Sequence, residues 1–297
     1  MSSHSDDTVE MSTSPADWLF ARPTPRFEID AAAASHVGKV RKNNEDHYAI
    51  VRRTRTREIV QSSLPRPTQG VSEDQAYVLI VADGIGGSAF GEFASRLAVE
   101  TMIDLANRAT SWVMRLTELD HQQIRERVEA YGLEIQKVFR GYTEVNPEMA
   151  HMGTTWTSAY VIPPDAVIVH IGDSRCFHFR DGTLNQLTRD HTLGQEMAEA
   201  GMPDEEVRRY RHILLNSLSG TPDPVPADIS HASLQGGDRL LVCSDGLTDM
   251  VDEVEIIRIL GSEGSLQEIC DRLVEAALEA GGRDNVTVNL CHITQTD

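Results

Sequence analysis

The stretch that most constrains the fold of this chain is Tyr77–Glu92, in which a short apolar run ends at an aspartate and a glycine-rich bend follows. The run YVLIVA is rich in β-branched residues, is apolar on both faces and has only six residues, which is typical of a buried strand. The glycines allow the backbone to turn tightly and to approach a ligand. Apolar residues then recur at helical spacing from Ala94 to Leu105. The stretch therefore predicts a strand, a carboxylate, a glycine bend and a helix, with Asp83 at the centre.

This stretch also has features of three other motifs. Asp83-Gly84 is a common hairpin signal, but the residues that follow are glycine-rich and then helical, without a second strand close behind. The sequence GIGGSA fits a dinucleotide-binding fingerprint, but Asp83 would repel the pyrophosphate and no second strand with a ribose-binding acid follows at the right distance. A phosphate-binding P-loop is excluded because no Gly-Lys-Ser/Thr follows.

The composition limits the classes of partner. The 297 residues include 40% apolar residues, enough for the packed core of one large domain or two small ones. Lys and Arg number 27 against 46 Asp and Glu, and a net charge of −19 argues against binding nucleic acid or an anionic membrane. The four cysteines lack C-x-x-C spacing and are expected to be reduced core residues. With an acidic N-terminus and no membrane-spanning apolar run, the chain is predicted to be soluble and cytoplasmic.

Outside the opening stretch the chain divides into segments of different character. Residues 1–26 are rich in Ser, Thr, Asp and Pro and predict a flexible N-terminal arm, whereas residues 27–297 have the patterns of a folded domain. The insertion at residues 52–74 is basic at first and then contains prolines, which predicts a long hairpin connection. Residues 119–142 predict an amphipathic helix. Residues 190–220 are charged and weakly helical, which predicts a mobile flap.

Four aspartates lie at the ends of apolar strand-like runs. Asp83 follows YVLIVA, Asp173 follows AVIVHIG, Asp245 follows RLLVCS, and Asp284 begins the run NVTVNL. If these strands are neighbours, the four carboxylates converge at one rim of a sheet and repel one another unless cations are present. Oxygen donors without the His or Cys spacing of a zinc site favour Mg²⁺ or Mn²⁺. The pattern therefore predicts a metal centre.

Seven short motifs occur in order along about residues 30–293. With them the chain resembles the metal-dependent Ser/Thr protein phosphatases of the type 2C family, in particular the bacterial members. The motifs are Ser35-x-x-Gly38-x-x-Arg41-x-x-Asn44-Glu45-Asp46, Val81-Ala82-Asp83-Gly84-Ile85-Gly86-Gly87 with Gly91-Glu92, Met152-Gly153-Thr154-Thr155, Gly172-Asp173-Ser174-Arg175, Leu187-Thr188-Arg189-Asp190-His191, Ser244-Asp245-Gly246-Leu247 and Arg283-Asp284-Asn285.

The resemblance implies a fold and an activity. The expected fold is α+β, a four-layer α/β/β/α sandwich of two antiparallel β-sheets flanked by helices, with residues 27–297 as the catalytic domain. The expected enzyme is a protein-serine/threonine phosphatase that hydrolyses phosphoserine and phosphothreonine by direct attack of a water that bridges two metal ions, without a phosphoenzyme. Its partners would be phosphorylated proteins, the substrates of a Ser/Thr kinase.

The resemblance also implies a role for each metal-binding residue. Asp83 would bridge two ions, Mn²⁺ or Mg²⁺, and the Gly84 carbonyl, Asp245 and Asp284 would complete their ligands. Asp173 would bind a third, weaker ion, as in bacterial relatives.

Three further residues have implied roles around the ions. Glu45 and Asp46 would hold metal-bound waters, and Arg41 would bind the substrate phosphate through its planar fork, for which Lys is a poorer substitute. The basic run Arg52–Arg57 is hypothesised to contact substrate or a partner, the alternative being a solvated hairpin arm.

The chain departs from the family pattern at one position. Many eukaryotic relatives have His after the Asp-Gly pair as a proposed general acid, whereas this chain has Ile85. Such a loss should slow catalysis rather than abolish it, because a general acid contributes about 10²–10⁴-fold. A metal-bound water is then the expected proton donor, with His36 and His191 as alternatives. The competing functions are a catalytically weak pseudophosphatase that binds phosphoproteins and, more distantly, a nucleotide-binding oxidoreductase.

Overall fold

Twelve β-strands and seven α-helices occur in the computed structural model, which describes residues 26–57, 60, 61, 63, 72–86, 89–108 and 121–296. The strands are β1 Arg26–His36, β2 Asp46–Arg57, β3 Ser72–Ile85, β4 Gly153–Thr154, β5 Trp156–Ile162, β6 Asp165–Ile171, β7 Arg175–Arg180, β8 Thr183–Gln186, β9 Leu218–Ser219, β10 Asp228–Ser233, β11 Arg239–Cys243 and β12 Val286–Thr296. The helices are α1 Ala89–Arg108, α2 His121–Val145, α3 Leu193–Glu199, α4 Asp204–Val207, α5 Asp245–Thr248, α6 Glu253–Leu260 and α7 Leu266–Glu279.

The strands form two antiparallel sheets. The five-stranded sheet has the order β1-β12-β11-β7-β8. The seven-stranded sheet has the order β10-β6-β5-β3-β4-β9, and β2 pairs with β3 beside this path. The order is not sequential, since β12 lies between β1 and β11 and since β3 pairs with β2, β4 and β5. The first and last strands of the domain are therefore neighbours.

Three apolar layers hold the sheets and helices together. Leu79 and Val81 on one face of β3 pack between the two sheets with Leu240 and Val242 of β11. Ile80 and Ala82, on the other face of β3, pack against α1 and α2. Helices α6 and α7 cover the outer face of the five-stranded sheet. The result is the expected four-layer α/β/β/α sandwich, and β3 is apolar on both faces because both faces are covered.

The secondary structure differs from the sequence-based expectation in three places. The strand predicted over residues 77–82 is the middle of the longer β3, and β12 begins at Val286, so that Asp284 lies in the preceding turn. Weak helicity over residues 197–210 corresponds to α3, α4 and a 3₁₀ turn. The break between α3 and α4 is at Gly201, whose φ of 77° is unfavourable for other residues, and Pro203 follows.

Several predicted segments lie partly outside the described residues. Of the predicted arm at residues 1–26, only Arg26 is described, and it begins β1. In the predicted insertion at residues 52–74, β2 and β3 continue their antiparallel pairing out to Arg57 and Ser72. Of the residues between them, 58, 59, 62 and 64–71 are outside the description. Gly87 of the glycine bend is also outside it. No helix within the described ranges has both the length and the apolar character of a membrane span.

Candidate metal centre

Two aspartates lie directly opposite each other where β2 begins and β3 ends. Asp46 and Asp83 are Cα partners in the antiparallel ladder. The Asp83 amide donates to Thr155 Oγ1 at 3.0 Å, and its carbonyl accepts hydrogen bonds from the Thr155 amide and from Thr154 Oγ1, each at 2.8 Å. The backbone of Asp83 is thus held in place by the two threonines of the third motif. This matters because like charges placed opposite each other in a ladder are unfavourable.

The backbone of Gly84 touches two other segments. Its amide donates to the Glu45 carbonyl at 3.1 Å, and a Cβ at this position would lie 2.1 Å from the carbonyl oxygen of Gly91 in α1. A Cβ on Gly91 would in turn lie 2.6 Å from Glu45 Oε2. Both positions therefore require glycine because β3, α1 and the loop before β2 meet there. This contact explains why the Gly91-Glu92 motif accompanies the Asp83-Gly84 motif.

Asp245 reaches the same place from the other sheet. It is the first residue of α5, directly after β11 and Ser244. Ser244 Oγ donates to Asp46 Oδ2 at 2.7 Å and accepts from the Thr287 amide at 3.0 Å. Asp46 Oδ1 and Asp245 Oδ1 are buried without a hydrogen-bond partner among the described residues. Buried carboxylate oxygens rarely lack a partner in proteins, so these two point to a ligand that is not part of the chain.

Asp284 is paired with Arg41, 243 residues away in sequence. Arg41 Nη2 donates to Asp284 Oδ2 at 2.5 Å, and both side chains are partly exposed to solvent. This hydrogen bond is the main cause of a raised pKa of the Arg41 guanidinium, and Glu45 and Asp83 add to it. The predicted phosphate-binding residue and a predicted metal ligand therefore lie within contact distance of each other.

Burial and, after it, mutual repulsion raise the pKa values of several acids at the site. Burial raises the pKa of Asp83 and of Asp245 well above the usual range, and the neighbouring aspartates raise both further. Burial also raises the pKa of Asp46 to about 6, although the hydrogen bond from Ser244 opposes the shift, and it raises the pKa of Glu45. Such a cluster is costly in its ionised form unless a cation offsets the charge.

Asp173 lies in a neighbouring part of the same cluster. Burial raises its pKa to about 7, followed by the nearby charges of Asp190 and Asp249. Asp190 is held by Arg175, whose Nε donates to Asp190 Oδ1 at 2.9 Å and whose Nη2 donates to Oδ2 at 2.5 Å. Asp173 has no such cation in direct contact among the described residues, which suits a ligand of a further ion.

The donor set fits a hard divalent cation. It consists of carboxylate oxygens and a backbone carbonyl that converge from both sheets, with buried oxygens left unpaired. As the side chains stand, no group of three His, Cys, Asp or Glu residues in the described part of the chain is placed to hold an ion. Side chains such as Asp284, which pairs with Arg41, would have to turn towards a cation.

His191 is engaged within the protein at both ring nitrogens. Nδ1 lies 3.2 Å from the Gly172 amide and 3.1 Å from Asn216 Nδ2, and Nε2 lies 3.1 Å from Asp228 Oδ2. The side chain is buried. These contacts give His191 a structural role and leave no ring nitrogen for a leaving group. The alternative donor His36 is exposed, and its Nδ1 accepts from the Gly38 amide at 2.9 Å.

Asn285 is a site residue to which the sequence assigned no role. Its Oδ1 accepts from the Glu45 amide at 2.7 Å, and its Nδ2 donates to the carbonyls of Val37 and Asn43, each at 2.9 Å. One buried side chain therefore holds the loop that carries Arg41 and Glu45 against the turn that carries Asp284. Ser244 and Asp249 were also missed. The motif around Asn285 was visible in the sequence. The role of its side chain was not, because the three residues that Asn285 contacts lie 240 or more positions away in the chain.

Replacement of Asn285 by Ala is expected to weaken metal binding as well as folding. The variant should lose about 2–4 kcal/mol of unfolding free energy because it leaves buried donors and acceptors unpaired. It should also raise the Mn²⁺ concentration needed for half-maximal activity by about 10–100-fold, as loss of residues that orient metal ligands does.

Asn289→Ala is the matched control for Asn285→Ala. Asn289 is also buried and donates to two carbonyls, those of Ile80 and Ala49, but it lies farther along β12. The Asn289→Ala variant should lose a comparable amount of unfolding free energy without a change in the Mn²⁺ concentration needed for half-maximal activity. Equal Mn²⁺ requirements in the two variants would contradict the role assigned to Asn285.

Comparisons with known proteins agree on one family. The family model described as protein phosphatase 2C matches residues 68–285. The serine/threonine phosphatase stp of Listeria welshimeri is 33% identical over 256 residues, which cover 85% of this chain and 91% of the relative. Protein phosphatase PhpP of Streptococcus pneumoniae is 32% identical over 283 residues, which cover 91% of this chain and 99% of the relative.

Solved structures give the same result. The Mycobacterium tuberculosis serine/threonine phosphatase PstP superimposes with a TM-score of 0.70 at 30% identity, over 89% of this chain and 98% of that chain. A structure of the PstP catalytic domain in complex with two manganese ions superimposes with a TM-score of 0.69 at 29% identity, over 91% of this chain and 100% of that chain.

Proposed function

Because this chain belongs to the protein phosphatase 2C family and is a metal-dependent protein-serine/threonine phosphatase, we propose that its active centre is the carboxylate cluster at the junction of the two sheets. The observation that carries this proposal is the convergence of Asp46, Asp83, Asp245 and Asp284, in which Asp46 and Asp245 each leave a buried oxygen unpaired. Cations at this place would offset the repulsion between the acids. The retained acids also speak against a pseudophosphatase.

The residues divide into ligands and supporting groups. Asp83, the Gly84 carbonyl, Asp245 and Asp284 would hold two ions, Mn²⁺ or Mg²⁺, and Asp173 would hold a third. When bound, the ions activate water as a nucleophile and offset the negative charge on the phosphoryl oxygens.

The supporting groups keep the ligands and the water in position. Asp46, fixed by Ser244, and Glu45, fixed through its amide by Asn285, would accept hydrogen bonds from water at the metal centre. These carboxylates do not need to contact an ion to act in this way. Their partners come from the other sheet, so the two sheets together hold the supporting groups.

Arg41 would bind the substrate phosphate. Its guanidinium is at the exposed edge of the cluster and can exchange the carboxylate of Asp284 for phosphate oxygens once cations occupy the carboxylates. The substrates would be phosphoserine and phosphothreonine in proteins modified by a Ser/Thr kinase. The four cysteines are buried and free, which supports a cytoplasmic location.

One assay tests the proposed function. Phosphate release from p-nitrophenyl phosphate and from a phosphothreonine peptide should require added Mn²⁺ or Mg²⁺ and should stop on chelation. Parallel titrations with the two ions decide which one the enzyme uses at lower concentration. Inactivity of the wild-type protein with both ions would overturn the proposal.

Arg41→Lys is expected to impair binding of the substrate phosphate more than the chemical step. The substitution keeps the charge but loses the bidentate fork. KM for p-nitrophenyl phosphate should therefore rise about 10–100-fold, since hydrogen bonds to charged groups contribute about 1.5–3 kcal/mol. The neighbouring exposed Lys42 provides the control Lys42→Gln, which should leave KM within about twofold. An unchanged KM in Arg41→Lys would remove Arg41 from the phosphate site.

A further inference from the structure

Two exposed cations adjoin the pair formed by Arg41 and Asp284. Lys39 is on the loop between β1 and β2, two residues before Arg41, and Arg283 is on the turn before β12, next to Asp284. Both side chains are exposed. Among the described residues, no carboxylate forms an ion pair with Lys39 or Arg283. Their charges are therefore available to a ligand. These two residues are named the cationic rim below.

The two members of the cationic rim are held together by backbone contacts. The Lys39 amide donates to the Gly282 carbonyl at 2.7 Å. A Cβ on Gly282 would lie 3.2 Å from the Lys39 Cγ, so the stem of this side chain lies over the turn that carries Arg283. Gly38 has a φ of 81°, and a Cβ there would clash with the carbonyl oxygen of Asp284. The loop and the turn therefore present their cations on a fixed backbone, which lowers the entropy cost of binding.

The cationic rim lies within a few residues of the proposed phosphate site. Two residues span at most about 7 Å, which limits the distance between the Cα atoms of Lys39 and Arg41. Arg283 is bonded directly to Asp284, whose Oδ2 accepts from Arg41 Nη2 at 2.5 Å. An extended peptide advances about 3.3 Å per residue. A substrate whose phosphate binds Arg41 therefore brings residues within about three positions of the phosphoresidue to the cationic rim.

The cationic rim differs in charge from the protein as a whole. Residues 36–42 contain three Lys or Arg residues and no acid. The nearby acids Glu45 and Asp284 belong to the proposed metal centre, where bound cations would offset their charge. The net charge of −19 repels acidic polypeptides at longer range, so a local positive surface is needed to orient them at the site.

Resting on the proposed function, we propose that the cationic rim binds a second anionic group of the substrate polypeptide, a carboxylate or a second phosphate, close in sequence to the phosphoresidue that is hydrolysed. Lys39 offers three N–H donors on a flexible stem, and Arg283 offers a planar fork of five, so the pair can accept either anion. Arg41 binds the phosphate that all substrates share, whereas the cationic rim selects among phosphoproteins.

Turnover of matched phosphothreonine peptides tests this inference. The near peptide carries Glu two residues from the phosphothreonine on each side, and the remote peptide has the same composition with each Glu six residues away. The wild-type protein should favour the near peptide about five- to tenfold in kcat/KM, since exposed charge pairs contribute modestly. The preference should fade between about 0.05 M and about 0.5 M salt because of screening.

A third peptide decides which anion the cationic rim binds. It replaces each Glu of the near peptide with a non-hydrolysable phosphonate residue, which has a charge closer to that of a phosphoresidue. A higher kcat/KM than that of the near peptide would identify a second phosphate as the favoured group. Equal values would show that a carboxylate is sufficient.

Variants locate the preference on the cationic rim. Lys39→Gln with Arg283→Gln should reduce the ratio of kcat/KM between near and remote peptides to within about twofold. Lys39→Arg with Arg283→Lys keeps both charges and should retain the ratio, which a purely structural role does not predict. Arg125→Gln with Arg127→Gln removes the same charge from exposed positions on α2 and should also retain it. Thermal unfolding checks that each variant is folded.

The outcomes separate this inference from the proposed function. Equal turnover of near and remote peptides by the wild-type protein, or an equal loss of preference in both Gln double variants, would overturn the role of the cationic rim. Absence of metal-dependent turnover of p-nitrophenyl phosphate by the wild-type protein would instead contradict the proposed active centre.

Discussion

Asp245→Asn is expected to abolish phosphatase activity while stabilising the metal-free protein. The substitution removes an anionic ligand from ions that lower the activation free energy of hydrolysis by several kcal/mol. The value of kcat/KM for p-nitrophenyl phosphate should therefore fall by at least about 10³-fold. In the metal-free state at pH 7.5, Asp245 is a buried acid among like charges with one oxygen unpaired. Its neutralisation should therefore raise the free energy of unfolding by about 1–3 kcal/mol.

The control for Asp245→Asn is Asp271→Asn, at an exposed position of α7 outside the carboxylate cluster. It should change neither activity nor metal-free stability measurably, because surface substitutions rarely exceed about 0.5 kcal/mol. Thermal and urea unfolding in the presence of a chelator give the stabilities, and metal-dependent phosphate release gives the activities. Full activity of Asp245→Asn would remove Asp245 from the metal centre. A less stable metal-free variant would show that repulsion does not dominate in the cluster.

Removal of metal is expected to make stability fall as the pH rises. Asp46 and Asp173 have pKa values of about 6 and about 7 in the folded protein, above the value of about 3.9 in an unfolded chain. Their contribution to stability is thus fully present below about pH 4 and is lost as the pH rises through 6 and 7. From pH 5 to pH 8 the two groups together should cost the metal-free protein about 3–5 kcal/mol, at about 1.4 kcal/mol per pKa unit.

Saturating Mn²⁺ should weaken this pH dependence. The ion binds the deprotonated carboxylates, so it should stabilise the protein at pH 8 and have little effect at pH 5. At about 100 times its dissociation constant, one ion adds about 2.7 kcal/mol. Urea unfolding at pH 5, 6, 7 and 8 with Mn²⁺ or with chelator measures both trends. Asp173→Asn should reduce the dependence of the unfolding free energy on pH in the metal-free protein. Equal slopes with and without Mn²⁺ would contradict the assignment of these acids to a metal centre.

Local patterns in the sequence accounted for the secondary structure and for the types of chemical group at the site. Helix α2 spans His121–Val145, where the apolar spacing over residues 119–142 predicted a helix, and β3 contains the predicted strand before Asp83. These features were predictable because burial and turn geometry constrain the residue types at neighbouring positions of the chain. The four-layer arrangement was expected only from the resemblance to a family, and the strand order came from the structure, since strand patterns do not identify their partners.

The contacts that make the acids into one site depend on the tertiary structure. Ser244 donates to Asp46 across 198 residues, and Arg41 pairs with Asp284 across 243. Such contacts follow from strand register and from the packing of one sheet on the other, which no local pattern specifies.

The sequence by itself therefore determined that four aspartates end or begin apolar strands, that glycine follows Asp83 and Asp245, and that the chain carries the motifs of one phosphatase family. The tertiary structure alone decided that Asn285 holds the Arg41 loop in place and that Asp249 lies close to Asp173. The motifs and the positions of the aspartates depend only on residue types and their spacing along the chain. The contacts of Asn285 and Asp249 depend on distances between segments that meet only in the folded protein.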